Sequence, residues 1–300
     1  MYILKSKTII NFAYSEGSGG GGDKIVIPDG WTQEDKTVTT IDTSNWDTSN
    51  MTTMNSMFSG CDKLSSLNVS NFNTSNVTNM GSMFSGCGYI DTSTTRPGEH
   101  AISGLKSINT ENWDTSNVTN MSYMFYDCYA LEGSGIVLDT SKVTNMSHMF
   151  ENCISMGEYP VQSFDTSKVE DMSYMFYNDG STGIHPNDYE IDLSNFDTRN
   201  LKNMYCMFNK YQHSILLSSK FFNSQYLTTY DFSSAENWNN TSGIKYNFTI
   251  DTMIEALPTI TTAKTLKFSQ NTGNDLTDTQ KASIKAKGWT IEIATVSVSY

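Results

Sequence analysis

Between Trp46 and Tyr211 the apolar residues of this chain fall on a fixed grid. Six times a sixteen-residue phrase returns, of the form aromatic-Asp-Thr-Ser-x-Val-x-x-Met-x-x-Met-Phe-x-x-Cys, beginning at Trp46, Phe72, Trp113, Leu138, Phe164 and Phe196. Counted from that first residue, offsets five, eight, eleven and twelve are apolar: Val77, Met80, Met83 and Phe84 in the second copy, Val118, Met121, Met124 and Phe125 in the third. A spacing of three, three and one puts the four on one face of a short helix, and that face is expected to be buried. Upstream, Leu64-x-x-Leu67-x-Val69-x-x-Phe72, Leu105-x-x-Ile108-x-Thr110-x-x-Trp113 and Ile191-x-Leu193-x-x-Phe196 carry the period of two of a strand with one inward face. Between the halves lies Asp114-Thr115-Ser116 or its equivalent, short oxygen-bearing side chains suited to a helix N-terminus or a turn. Stacked at the inter-rung distance of roughly 4.8 Å, these aspartates would repel unless each found its own backbone donors. A turn or cap role supplies the donors, and Asn73 in the second copy fills it uncharged.

Strand, turn and short helix make one coil. The copies are 26, 41, 25, 26 and 32 residues apart, which is the period of a stacked solenoid. Both long steps respect the phrase. The first places its extra residues in Gly88 to Gly104, and the second places them in Gly180 to Tyr189, where Gly180, Gly183 and Pro186 form turns. The expected fold is an α/β solenoid, a leucine-rich-repeat-like stack of short parallel strands and short helices closed by irregular C-terminal capping repeats. Residues 1–22 read as an N-terminal arm and Gly-rich hinge, 23–215 as the solenoid, and 216–300 as irregular repeats and cap. In the cap, Tyr246 to Thr249, Thr252 to Leu257 and Ala263 to Ser269 read as less regular rungs. Thr277 or Asp278 should cap a helix that ends in lysines and Gly288, with a strand after it.

The phrase Trp113-Asp-Thr-Ser-Asn-Val-Thr-Asn-Met-Ser-Tyr-Met-Phe-Tyr-Asp-Cys and its siblings resemble the repeats of BspA-like leucine-rich repeat surface proteins, found in bacteria, some protists and phages of gut bacteria. The likeness covers roughly Ile41 to Tyr211, and the C-terminal end resembles the closing repeat of leucine-rich repeat proteins from phages of Bacteroides-type hosts. The resemblance implies a right-handed coil used for adhesion and recognition rather than catalysis. It carries over no binding residue, because the matching positions are the scaffold.

A net charge of −13 speaks against nucleic acid or anionic membrane as a partner. No run of about 20 apolar residues suits a membrane span, and Lys5, Lys7 and Asn11 interrupt the N-terminal segment where a secretory signal would need an apolar core. Cys61, Cys87, Cys128 and Cys153 share offset fifteen, while Cys206 is off register. They read as a buried ladder of thiols, with disulfides between neighbouring coils as the alternative; no zinc-ligand spacing is present. The twelve repeat methionines read as core, against an adaptable exposed surface.

No catalytic residue, metal site or cofactor is expected. His100, His148, His185 and His213 are scattered, and no nucleophile sits at a recognisable elbow. A recognition face should appear where the phrase varies, at offsets ten and thirteen. Those positions hold Ser56 and Ser59, Ser82 and Ser85, Tyr123 and Tyr126, His148 and Glu151, Tyr174 and Tyr177, then Cys206 and Asn209. Tyr123, Tyr126, His148, Tyr174 and Tyr177 are therefore the candidate binding residues, offering stacking area with polar tips to a sugar or a protein. The alternative is that they pack on neighbouring coils or on the inserted loops. The expected function is a non-enzymatic virion-associated fibre, decoration or attachment protein at a virion surface. It would bind host surface glycan or protein, with other virion proteins or itself as partners through the N-terminal arm. A bacterial cell-surface adhesin and a carbohydrate-active enzyme are the alternatives.

Overall fold

The computed structural model describes residues 24–90, 102–157, 159–177, 190–209, 214–233 and 250–294. They form a β-solenoid of about nine turns with parallel bridges and very little helix. Four strands of two residues open the stack: β1 (Ile25–Val26), β2 (Thr40–Ile41), β3 (Trp46–Asp47) and β4 (Ser66–Leu67). β1 lies parallel to β3, and β2 to β4. From there a single column of parallel bridges carries the stack onward through Thr53, Asn79, Asn120, Asn145, Asp171 and Asn203, one residue per coil at offset seven.

The short helix expected in each copy is not formed, so the α/β solenoid expectation is corrected to a β-solenoid. The third coil shows why. The amides of Met121, Tyr123, Phe125 and Asp127 donate to the carbonyls of Asn145, Ser147, Met149 and Glu151 in the next coil, at 2.9–3.0 Å. The amides between them turn back on their own coil: Met124 to Met121, Tyr126 to Tyr123 and Cys128 to Phe125, at 3.1–3.3 Å. Ser122 donates to Oδ1 of Asn120 at 3.0 Å. Every amide from 121 to 128 thus has a partner, and none uses the carbonyl four residues back that an α-helix requires. Tyr123 and Asp127 have φ of 58° and 57°, a left-handed conformation that breaks a helix and that a type II turn needs at its third residue. Offset ten is left-handed in all six copies, at Ser56, Ser82, Tyr123, His148, Tyr174 and Cys206. That conformation costs a non-glycine residue about 1–2 kcal/mol, offset in the first five copies by the hydrogen bond its amide sends to the next coil. The apolar spacing of three, three and one serves this string of turns as well as it serves a helix.

The Asp-Thr-Ser segment is likewise a turn and not a helix cap. Oδ1 of Asp114 accepts the amide of Ser116 at 3.1 Å, and Oδ1 of Asn73 accepts that of Ser75 at the same distance. In Asp47, Asp114 and Asp165 the serine hydroxyl two residues on, then its amide, hold the carboxyl below its ordinary pKa. The threonine between them points inward and links coils. The Thr115 hydroxyl donates to the Asp139 carbonyl at 2.9 Å and accepts the Asp139 amide at 2.7 Å. Thr48 makes the same pair with Asn73, and Thr166 with Asp197.

Inside, all twelve repeat methionines are buried. The offset-twelve phenylalanines Phe58, Phe84, Phe125, Phe150, Phe176 and Phe208 continue to Phe232 as one stacked column, with successive centroids 5.7–6.1 Å apart. Trp46, Phe72 and Trp113 form a second column beside it. The four offset-fifteen cysteines are buried free thiols, as the ladder reading expected and the disulfide reading did not. The thiols of Cys87, Cys128 and Cys153 each donate to a phenylalanine carbonyl of the preceding coil at 3.1 Å.

The first insertion leaves the coil as an antiparallel pair, β5 (Gly88–Ile90) with β6 (Ile102–Gly104). Gly104 is required there: at φ 129°, a Cβ would lie 2.5 Å from the Cys87 carbonyl oxygen. The strand expected over Leu105 to Trp113 is irregular chain, although Leu105, Ile108 and Trp113 do point inward. Further on, β7 (Glu190–Asp192) lies parallel to β8 (Ser214–Leu216). The N-terminal arm, Gly180 to Tyr189 and Tyr246 to Thr249 lie outside the described residues.

Toward the C-terminus the turns give way to regular elements. β9 (Thr229–Phe232), β10 (Lys264–Phe268) and β11 (Trp289–Ile293) form a parallel sheet in the order β11-β10-β9, accompanied by α1 (Ile250–Ala256), α2 (Gln270–Asp275) and α3 (Asp278–Ala286). Of the two caps the sequence offered, Thr277 is the N-cap of α3, and it exchanges bonds with Gln280 in a capping box. Gly288 follows at φ 89°, where a Cβ would meet the Ile260 carbonyl oxygen at 2.5 Å.

Candidate functional site

Offset ten lies on the outside of the solenoid, two residues before the phenylalanine column. Because the offset-ten amides of the first five copies bond to offset nine of the next coil, the side chains of successive coils come into register. Three rings therefore stack. Tyr123 and His148 lie 4.1 Å apart at 10° between planes, and His148 and Tyr174 lie 4.6 Å apart at 9°. Tyr126 and Tyr177 flank the row, each with its centroid 5.5 Å from the tyrosine of its own coil. The five residues singled out from the sequence thus form one contiguous patch, and they pack on neighbouring coils as they do so.

Tyr205 joins the patch without having been singled out. It meets Tyr174 edge-on at 5.5 Å and 71° and is 60% exposed. It stands at offset nine, one residue before Cys206, and reading only offsets ten and thirteen passed over it. An aromatic at an outward position beside a tyrosine coil was the available signal.

The electrostatics of the patch are acidic and fixed. Glu151 is buried and bonds Nδ1 of His148 through Oε2, so the imidazole is held by a carboxylate while its faces lie between two phenols. Asp127 accepts the Tyr129 hydroxyl at 3.1 Å and the Asn152 side-chain amide at 2.6 Å. Burial, then the charges of Asp127 and Glu151, push the Tyr126 phenol up to about 12. Burial chiefly pushes Tyr174 up to about 12 as well, and it raises Tyr123. At neutral pH Tyr123, Tyr126 and Tyr174 therefore present uncharged hydroxyls, able to donate and to accept.

Along the same outer row the composition changes. The two coils before Tyr123 carry Ser56 and Ser82 at offset ten and Ser59 and Ser85 at offset thirteen, all half-buried. Cys206 occupies offset ten of the sixth coil, half-buried, with Asn209 Nδ2 donating to its sulfur at 3.7 Å. Of the histidines, His148 is in the patch, while His100, His185 and His213 lie outside the described residues. Among the described residues no group of three His, Cys, Asp or Glu side chains converges as a metal site would require.

The family described as Mycoplasma protein of unknown function, DUF285, matches residues 31–96, 98–214 and 138–254. Neither the curated proteins nor the solved structures gave a match. The matched segments take in all six copies of the phrase and more than half of the chain, and repeats of this family are of the BspA-like kind. The chain belongs to the DUF285 family.

Proposed function

We propose that the protein is a non-enzymatic attachment scaffold that presents the Tyr123–His148–Tyr174 row to a host-surface glycan. The stacked row itself carries the reading. A solenoid needs no aromatic rings on its outer face, and these are held in register by the same inter-coil hydrogen bonds that build the core. Rings pinned in this way lose little conformational freedom on binding, which is the chief cost that rigid recognition surfaces avoid. The repeat aspartates are tied into turns, which supports a structural task for them rather than the paired acid and base of a glycosidase.

Two settings for display follow. A virion surface, with other virion proteins as partners, is the one suggested by the resemblance to phage-borne repeats. A cell surface is favoured by the match to a family described from Mycoplasma. A mass-spectrometric inventory of purified virions beside surface proteolysis of intact cells separates them. The attachment role is tested by replacing Tyr123, Tyr126, Tyr174 and Tyr177 together by alanine. Adsorption of the fluorescently labelled full chain to host cells should fall at least tenfold while the unfolding midpoint stays close to wild type. Unchanged adsorption by the four-alanine chain refutes the role.

A further inference from the structure

The aromatic row has two unlike ends. Both faces of His148 are covered, by Tyr123 on one side and Tyr174 on the other, and the far end of the row meets the edge-on ring of Tyr205. Among the described residues a stacked ring covers one face of Tyr123 alone. Its plane lies within 10° of the imidazole, so its second face looks along the solenoid axis toward the preceding coil. There the register places Ser82, and beyond it Ser56, where a further ring would otherwise stand: the Ser82 amide bonds to Ser122, one residue before Tyr123, at 2.8 Å. Among the described residues no ring stacks on that second face, and Tyr123 is 36% exposed.

Resting on the attachment reading, we infer that this open face of Tyr123, above the step formed by Ser82, is a subsite for one neutral pyranose residue of the glycan. A sugar ring there would be the next member of the column. Its apolar C–H face would meet the electron-rich face of the phenol, and its rim hydroxyls would lie among the Ser82 and Tyr126 hydroxyls. Charge selects the class. The neighbourhood holds the carboxylates of Glu151 and Asp127, and the whole chain carries −13, so a sialylated, sulfated or phosphorylated sugar is disfavoured and an uncharged one is accepted.

The protein supplies its own control. Ser82 already has φ 56°, and tyrosine occupies the equivalent left-handed position in the third and fifth coils at φ 58° and 57°, so Ser82→Tyr should fold and fill the subsite with a ring of the protein's own. On an array of neutral and anionic glycans, wild type should bind neutral pyranosides. Both Ser82→Tyr and Tyr123→Ala should lose that binding at least tenfold, and Tyr226→Ala, at an exposed tyrosine outside the patch, should keep it. Binding by Ser82→Tyr equal to wild type, preference for anionic glycans, or no glycan binding at all overturns the subsite. The two readings fail separately: host-cell adsorption kept by Ser82→Tyr but lost by the four-alanine chain rejects the sugar subsite and leaves attachment standing. Adsorption kept by both chains rejects attachment itself.

Discussion

Two stacked aromatic columns run through the same coils, two residues apart in the phrase. The inner one, Phe58 to Phe232, spans every described repeat and is fully enclosed; the outer one, Tyr123, His148 and Tyr174, spans three coils and faces solvent. Backbone register is common to both, so stacking alone does not tell scaffold from surface. Uniformity does. A column that must fill a closed spine keeps one side chain throughout, whereas an outer column varies from serine to tyrosine to cysteine without disturbing the turns beneath it.

The sharpest way to break this comparison is to cut one ring from each column of the same coil. Phe125→Ala should lower the unfolding free energy by about 3–5 kcal/mol, the usual cost of removing a buried phenylalanine. Tyr123→Ala, on the exposed side of the same turn, should cost no more than about 1 kcal/mol. Denaturant titrations of the two variants giving equal losses would show that the outer row also bears the fold.

A smaller effect sharpens the picture between the columns. The buried Thr140 hydroxyl donates to the Asp165 carbonyl of the next coil at 3.0 Å. Thr140→Val removes that bond from a partly buried carbonyl, so a loss of about 0.5–1.5 kcal/mol is expected by the same titration. A stable valine variant would mean that inter-coil stitching by threonine is dispensable.

The smallest effect is a pH dependence confined to the outer turns, since the inner column does not titrate. Asp47, Asp114 and Asp165 have carboxyls held below their ordinary value, and Asp197 is lowered to about 2, first by its hydrogen bond from the Arg199 guanidinium. A depressed folded-state pKa contributes stability that is present above about pH 4, the unfolded value, and is lost as the pH falls toward about 2. Thermal melts between those limits should show a falling midpoint. Asp114→Asn, which copies the natural Asn73, should keep the neutral-pH midpoint and remove its share of the acid loss.

The repeat, its inward face and the C-terminal helix with its stop were legible because single residues specify them: phenylalanine at offset twelve, threonine or aspartate at the N-cap, glycine at 288. The coil conformation was not. Met-x-x-Met-Phe satisfies one face of a helix and one side of a turn string equally, and the deciding residues at offset ten are serine, tyrosine, histidine and cysteine, none of which announces a left-handed backbone. Offset fourteen gave a better hint, with Gly60, Gly86 and Asn152 at positive φ. The candidate patch was legible as variation within a grid. Its stacking depended on register, and register is fixed by backbone bonds between coils, at offset ten and at the polar bridges of offset seven, that carry no apolar signal.

The hydrogen bonds between coils keep one pattern: in the first five copies alternate amides of the turn string donate to carbonyls of the coil that follows, while from the second copy onward the amide after the offset-five valine or leucine donates back to the coil before. Each coil therefore offers the same plug on one side and the same socket on the other, whichever side chains it displays outside. Excising or duplicating a whole copy leaves a seam that closes on identical chemistry. Lineages carrying such a gene can thus lengthen, shorten or reshuffle the molecule by recombination, trading outer residues among coils without having to reinvent the interior.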